Sequence, residues 1–200
     1  MISTAFVALI KLIAAPGIRW VGCAPELKQR IYFANHTSHL DALIVWTSLP
    51  GQIREKTRPV AAADYWRSNK LRRHVATRIF NAVLIERIKV TSSNNPLDLL
   101  VSALDQNFSL IIFPEGGRHD GVEAGPFKSG LYHLGKKRRN VEMIPVHIDN
   151  ANRVLPKGEI LPVPLLSSIS FGAPMHVSDG ESKNDFLERA RTAVNSLRHA

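Results

Sequence analysis

Cysteine is nearly absent from this sequence. Cys23 is the only one among 200 residues, so no intrachain disulfide can form, and the count fits a reducing compartment. Long hydrophobic runs are missing as well. The most apolar stretch, Phe6–Ile10, Lys11 and Leu12–Ala15, stops at Pro16-Gly17, short of the ~20 residues a membrane-spanning helix needs. It also lacks the basic start and small-residue cleavage site of a secretory signal. No internal repeat or low-complexity segment stands out. No aromatic-rich motif of the kind that reads single strands is present, which argues against a nucleic-acid module. Acidic residues are in short supply, 17 against 26 Lys and Arg, for a formal net charge of +9.

What remains is an ordinary globular composition, 44% hydrophobic and 22% charged. At this length one domain is expected, able to bury roughly 70% of its unfolded surface. The positive excess is concentrated. Ten basic residues lie between Arg54 and Lys89, opposed only by Glu55, Asp64 and Glu86, and a second cluster is Lys136-Lys137-Arg138-Arg139. Such patches attract polyanions, including anionic lipid, phosphorylated substrates or an acidic carrier protein, and they also simply keep a surface solvated. Residues 1–20 form an apolar segment with two readings. One is a core helix, and the other is a helix lying in a membrane interface with Lys11, Lys28 and Arg30 near headgroups. Residues 21–200 read as a single domain.

Short apolar runs alternate with helical patterns. Strands are expected at 31–34, 59–63, 82–85, 110–113, 143–148 and 168–171. Helices are expected at 40–48, 66–80, 96–106, 128–136 and 184–198. Pro96 suits a first helical turn. The last helix carries Phe186, Leu187, Ala190, Ala193, Val194 and Leu197 on one stripe. The alternation predicts an α/β fold, a mixed but mostly parallel central sheet flanked by helices, with a short apolar N-terminal helix. Sites in such sheets gather where strands end and helices begin.

Two turns occupy such places. The first is Asn35-His36-Thr37-Ser38-His39-Leu40-Asp41, after the apolar run Ile31–Ala34. Ser38 can cap the helix that follows, and Asp41 three residues on can complete a capping box. Alternatively Asp41 hydrogen-bonds the ring of His36, provided that His36 precedes the helix, and sets its tautomer for proton uptake. His36, His39 and Asp41 do not match the spacing of a zinc site, so no metal is expected. The second turn follows Leu110–Phe113 and reads Pro114-Glu115-Gly116-Gly117-Arg118. Its glycines permit close backbone approach to a ligand, and its arginine offers a fork to phosphate or carboxylate. Phe127-Lys128-Ser129-Gly130 supplies a further cation. Arg87 follows an apolar run that ends at Ile85-Glu86. Pro145, within Ile144-Pro145-Val146, is expected at a sheet edge or strand start, since proline lacks the ladder donor.

Taken in order, these blocks resemble the glycerolipid acyltransferase family, most of all its 1-acylglycerol-3-phosphate acyltransferases. The family's first motif, Asn-His, four residues, Asp, is similar to Asn35-His36…Asp41. Its Phe-Pro-Glu-Gly-Thr/Ser-Arg is similar to Phe113–Arg118, with Gly117 in place of the hydroxyl residue. Its Phe-Lys-x-Gly resembles Phe127–Gly130. The looser second and fourth motifs resemble the segments ending at Arg87 and spanning 144–146. Weaker similarity continues at Leu155–Gly158 and Phe171–Pro174.

The resemblance implies direct acyl transfer from an acyl thioester, acyl-CoA or acyl carrier protein, to the hydroxyl of a lysophospholipid, most of all 1-acylglycerol-3-phosphate. His36 would be the general base and Asp41 its orienter. Arg87, Glu115, Gly116, Arg118 and Lys128 would bind the acceptor. No metal or bound cofactor is implied, the thioester being a co-substrate. The expected location is peripheral, on an anionic membrane surface at its cytoplasmic face. The alternatives are another acceptor, such as glycerol 3-phosphate or a lyso-aminolipid, or a basic membrane-binding module with an inactive site.

Overall fold

The computed structural model describes residues 17–38, 40–86, 95–118, 121, 123–150 and 167–199, together with Ala8. The expected N-terminal helix, His39, Arg87 and the 155–158 segment lie outside the described residues.

The apolar runs form strands β1 (Gly17–Trp20), β2 (Arg30–Ala34), β3 (Thr57–Ala62), β4 (Val83–Ile85), β5 (Ser109–Ile112), β6 (Glu142–Asp149) and β7 (Ser168–Phe171). They build one sheet in the order β1-β7-β6-β2-β5-β3-β4. Strands β2 to β6 run parallel, with Tyr32 in register with Ile111 on β5 and Ile144 on β6. β7 is antiparallel to β6, and β1 is parallel to β7. The mostly parallel, mixed sheet expected from the alternation is therefore present.

The helices are α1 (Asp41–Ser48), α2 (Gly51–Glu55), α3 (Ala63–Trp66), α4 (Lys70–His74), α5 (Pro96–Asp105), α6 (Gly130–Lys137) and α7 (Lys183–Ser196). They cover both faces because the central strands are apolar on both. Ile31, Phe33, Leu110, Ile112 and Met143 pack with Leu100 and Leu104 of α5, Leu131 and Leu134 of α6, and Phe186, Ala190 and Val194 of α7. Tyr32, Ala34, Ile111, Ile144 and Val146 face the other way, onto Ile44, Val45 and Trp46 of α1. Burying each large apolar side chain contributes about 1.5–3 kcal/mol. Pro96 opens α5 as expected, with the Asn95 side chain accepting from Leu97 N at 3.1 Å.

Three local expectations are corrected. The single helix expected at 66–80 is broken. Ser68 Oγ donates to the Tyr65 carbonyl at 2.7 Å and competes with the helical ladder. The chain then widens into a π-helical turn at Val75–Ile79, pinned by buried Phe80, which stands edge-on to Trp46 with centroids 5.1 Å apart. Second, Pro145 lies inside a central strand rather than at an edge. Its carbonyl accepts from Gly172 N at 2.8 Å, just past the last residue of β7. The missing donor therefore falls between the β7 ladder and the Met143–Met175 bridge, where no partner strand runs. Third, Ser38 does not cap α1, which starts behind Leu40 without a side-chain cap. Strand β1 and helix α2 were not foreseen. β1 is an exposed edge strand whose Trp20 stacks on Phe171 at 4.1 Å, so it shows no core pattern.

The topology has one consequence for function. β2, β3 and β5 are parallel and close together, so the turns after them emerge at the same end of the sheet.

Candidate active site

Asn35 ends β2 by imitating the ladder. Its side chain donates to Ile148 O at 2.9 Å and accepts from Ile148 N at 2.8 Å. The next three backbone N–H groups are taken by carboxylates. His36 N donates to Glu115 Oε1 at 2.9 Å, while Thr37 N and Ser38 N donate to Asp41 Oδ2 at 2.7 and 2.8 Å. The His36 ring meets the same Asp41 oxygen through Nδ1 at 2.8 Å. Asp41 thus reaches back to Ser38 N, although Ser38 is not the cap, and it meets the ring of His36.

The chemistry of this turn sets the tautomer. Asp41 is fully buried, 0% exposed, at the start of α1, where a helix favours negative charge. An oxygen accepting two backbone N–H groups is an acceptor, so Nδ1 of His36 carries the proton and donates it. Nε2 is left with its lone pair. The side chain of His36 is 22% exposed, and the residue lines a cavity of about 600 Å³. A carboxylate-oriented imidazole on an open cavity can take up a proton at Nε2 and share the resulting charge with Asp41.

The loop after β5 completes the site. Phe113 stacks on the His36 ring, centroids 4.3 Å apart and 25° between planes. Gly116 has φ +72° and bonds back from its N–H to Phe113 O at 3.0 Å. Lys128 N donates to Pro114 O at 2.8 Å, tying the 127–130 segment to this loop. His36, Gly116, Gly117, Arg118 and Lys128 all line the cavity. Its other walls are apolar: Val60, Ala61 and Ala62 of β3, Ile85 of β4, Phe80, and Leu97 and Leu100 of α5. Polar and cationic groups therefore meet an apolar chamber beside His36.

Of the residues the sequence singled out, His36, Asp41, Glu115, Gly116, Arg118 and Lys128 are brought together. Arg87 lies outside the described residues. Sequence reasoning missed Phe113 as the ring against His36, although an aromatic directly before Pro-Glu-Gly was visible. It also missed the apolar walls, which come from several separate elements.

The basic patches prove partly structural. Arg138 forks onto Asp105 at 2.6–2.9 Å, Lys137 meets Asp98 at 3.5 Å, and Arg139 pairs with Asp179. In the 54–89 window, Arg58 lies 3.3 Å over the Phe108 ring and Arg67 pairs with Glu86 at 2.7 Å. Lys70, Arg73 and Arg78 are exposed.

These features define an α/β domain with a carboxylate-oriented histidine at the carboxyl ends of parallel strands, opening on an apolar cavity. A family model described as Acyltransferase matches residues 23–149, more than half of the chain. The chain belongs to the acyltransferase family. It is 26% identical over 166 residues to a 1-acyl-sn-glycerol-3-phosphate acyltransferase of Cocos nucifera, covering 79% of this chain and 50% of that one. A protein of the same description from Limnanthes alba is 25% identical over 161 residues, covering 76% and 52%. The chain thus spans about half the length of these curated relatives. The fold matches the crystal structure of the 1-acyl-sn-glycerophosphate (LPA) acyltransferase PlsC from Thermotoga maritima, with TM-score 0.72 and 18% identity, over 96% of this chain and 78% of that one.

Proposed function

We propose that this protein transfers a fatty acyl group from an acyl thioester, on coenzyme A or acyl carrier protein, to the free hydroxyl of a lysophospholipid, converting 1-acylglycerol-3-phosphate to phosphatidate. The observation that carries this reading is His36 at the wall of the apolar cavity, its Nδ1 held by buried Asp41 at 2.8 Å. Nε2 takes the proton of the acceptor hydroxyl as its oxygen attacks the thioester carbonyl carbon. Asp41 stabilises the imidazolium. The tetrahedral intermediate collapses, the carbon–sulfur bond breaks, and the departing thiolate takes the proton back from His36. The apolar chamber suits an acyl chain, and Arg118 and Lys128 suit the acceptor's phosphate. Arg87 belongs to the same proposal through its place in the sequence.

The protein works peripherally on an anionic membrane, at its cytoplasmic face. Among the described residues no helix is long and apolar enough to cross a membrane, and exposed Lys70, Arg73 and Arg78 favour attraction to anionic headgroups.

The test is an assay with acyl-CoA and acyl carrier protein donors against a panel of lysolipids and glycerol 3-phosphate. Phosphatidate is expected from 1-acylglycerol-3-phosphate, and His36→Ala should abolish thioester consumption while unfolding at the wild-type temperature. A His36→Ala variant that keeps the wild-type rate would overturn the mechanism.

A further inference from the structure

We infer that Glu115 is a positioning residue that fixes His36 against the acceptor loop, and that it does not itself bind the acceptor. The inference rests on the acyl-transfer reading above and assigns one carboxylate within it.

Two independent observations support it. The first is direct: Glu115 Oε1 accepts the backbone N–H of His36 at 2.9 Å. The second concerns what Glu115 does not face. Phe113, Pro114, Gly116, Gly117 and Arg118 all line the cavity, and Glu115 alone in that run does not. The left-handed turn at Gly116, φ +72°, is where the chain changes direction between the carboxylate and the cavity-facing residues that follow.

The consequence is mechanical. His36 is held by three contacts on three sides: Asp41 at Nδ1, Phe113 on the ring face and Glu115 at the backbone. Phe113 and Glu115 both come from the loop that carries Arg118. Glu115 therefore sets the distance between the base and the cation proposed to hold the acceptor. A part-buried N–H accepted by a carboxylate makes a charge-assisted hydrogen bond, and displacing a catalytic group by about 1 Å costs on the order of 100-fold in rate. An acceptor ligand would behave differently, since losing it weakens binding of the acceptor with little change in the bound complex.

The experiment compares Glu115→Gln, Glu115→Ala and His36→Ala in the full chain, using 1-acylglycerol-3-phosphate as acceptor. The glutamine amide oxygen can still accept the His36 N–H, so Glu115→Gln should keep kcat within about threefold with an unchanged acceptor KM. Glu115→Ala should lose about 100-fold in kcat with KM nearly constant. Amide hydrogen exchange at His36 should stay slow in wild type and Glu115→Gln, and become fast in Glu115→Ala. If Glu115→Ala fails to fold, Glu115→Gln still decides. A rise of tenfold or more in acceptor KM in Glu115→Gln, with kcat kept, makes Glu115 an acceptor ligand and overturns the inference. Full activity in His36→Ala would instead overturn the acyl-transfer reading itself, whatever the Glu115 variants do.

Discussion

Lys128 lies across the α-carbon of Gly116. A methyl group placed on Gly116 would fall 2.5 Å from Lys128 Nζ, 2.7 Å from Cε and 2.8 Å from Cδ. The glycine also has φ +72°, a conformation that costs other residues roughly 1–2 kcal/mol. Gly116 thus does two things: it allows the turn after Glu115, and it leaves the space in which the lysine lies along the cavity wall.

Gly116→Ala should therefore show two separable defects. Strain in the turn should lower stability by about 1–2 kcal/mol, read by urea denaturation. Displacement of the lysine should raise acceptor KM. Lys128→Ala should reproduce the KM effect and leave stability within about 0.5 kcal/mol of wild type. Equal KM in Lys128→Ala and wild type would remove Lys128 from the acceptor site.

Asp41→Asn probes the charge. An asparagine oxygen in the place of Oδ2 can still accept from Thr37 N, Ser38 N and His36 Nδ1, so the turn and the tautomer should survive. It carries no charge to stabilise the imidazolium. The expected loss in kcat is about 10²-fold, with acceptor KM changed little. Circular dichroism and thermal unfolding check the fold, and steady-state kinetics check the rate. A loss of less than tenfold would show that Asp41 serves the helix start alone.

Gly117 is a different kind of glycine. No atom lies within 4 Å of the position its Cβ would take, and it is absent from the residues with positive φ. Neither backbone nor packing requires glycine there. Gly117→Thr should fold with stability within about 0.5 kcal/mol of wild type. It would place a hydroxyl beside Arg118 on the cavity wall, so acceptor preference should shift toward the bare phosphate monoester. Unchanged ratios of kcat/KM across the lysolipid panel would show that position 117 has no part in acceptor choice.

Glu181 gives a pH-dependent contact that ties the C-terminal helix to the loop that precedes it. Arg189 of α7 forks onto its carboxylate at 2.8 Å, and Ser178 N donates to it at 2.9 Å. The hydrogen bond from Arg189 holds its carboxyl below the ordinary 4.5, against the opposing effect of burial. Because the folded value is depressed, its stabilisation is present above the unfolded value and lost as pH falls through the folded one. Glu181→Gln should cost about 1 kcal/mol or less at pH 7, and the difference from wild type should shrink as pH falls below the ordinary 4.5 and through the depressed folded value. Urea midpoints measured across that range check it, and a gap that stays constant would contradict the ion pair.

Much of the site was legible because its geometry is local. His36 and Asp41 sit five residues apart on one turn, and Phe113 to Arg118 form one loop, so strand ends and turn chemistry placed them. What was hidden depended on distant partners. The Asn35–Ile148 pair, the His36–Glu115 contact and the cavity walls all join residues far apart in sequence. The same reason explains Pro145, whose tolerance depends on where β7 ends, and the 66–80 segment, whose helical pattern is broken by Ser68 and by Phe80 docking on Trp46. Charge clusters misled in one respect: Lys137, Arg138 and Arg139 read as a patch, but they face Asp98, Asp105 and Asp179.

With Lys137, Arg138 and Arg139 paired, other exposed cations among the described residues are candidates for a membrane contact. Lys70, Arg73 and Arg78 are exposed on the segment that also carries the cavity-lining Tyr65, Trp66 and Ala76. Aromatic rings and cations together suit a headgroup layer. Each cation near an anionic surface contributes about 1 kcal/mol, and the attraction fades beyond a Debye length of about 10 Å at 0.1 M salt. The protein should sediment with phosphatidylglycerol vesicles at low salt, release as salt rises, and bind phosphatidylcholine vesicles weakly. Reversing Lys70, Arg73 and Arg78 to glutamate should abolish the preference, whereas reversing Lys137 and Arg138 should affect it much less. Equal binding to both vesicle types at low salt would remove these cations from any membrane role.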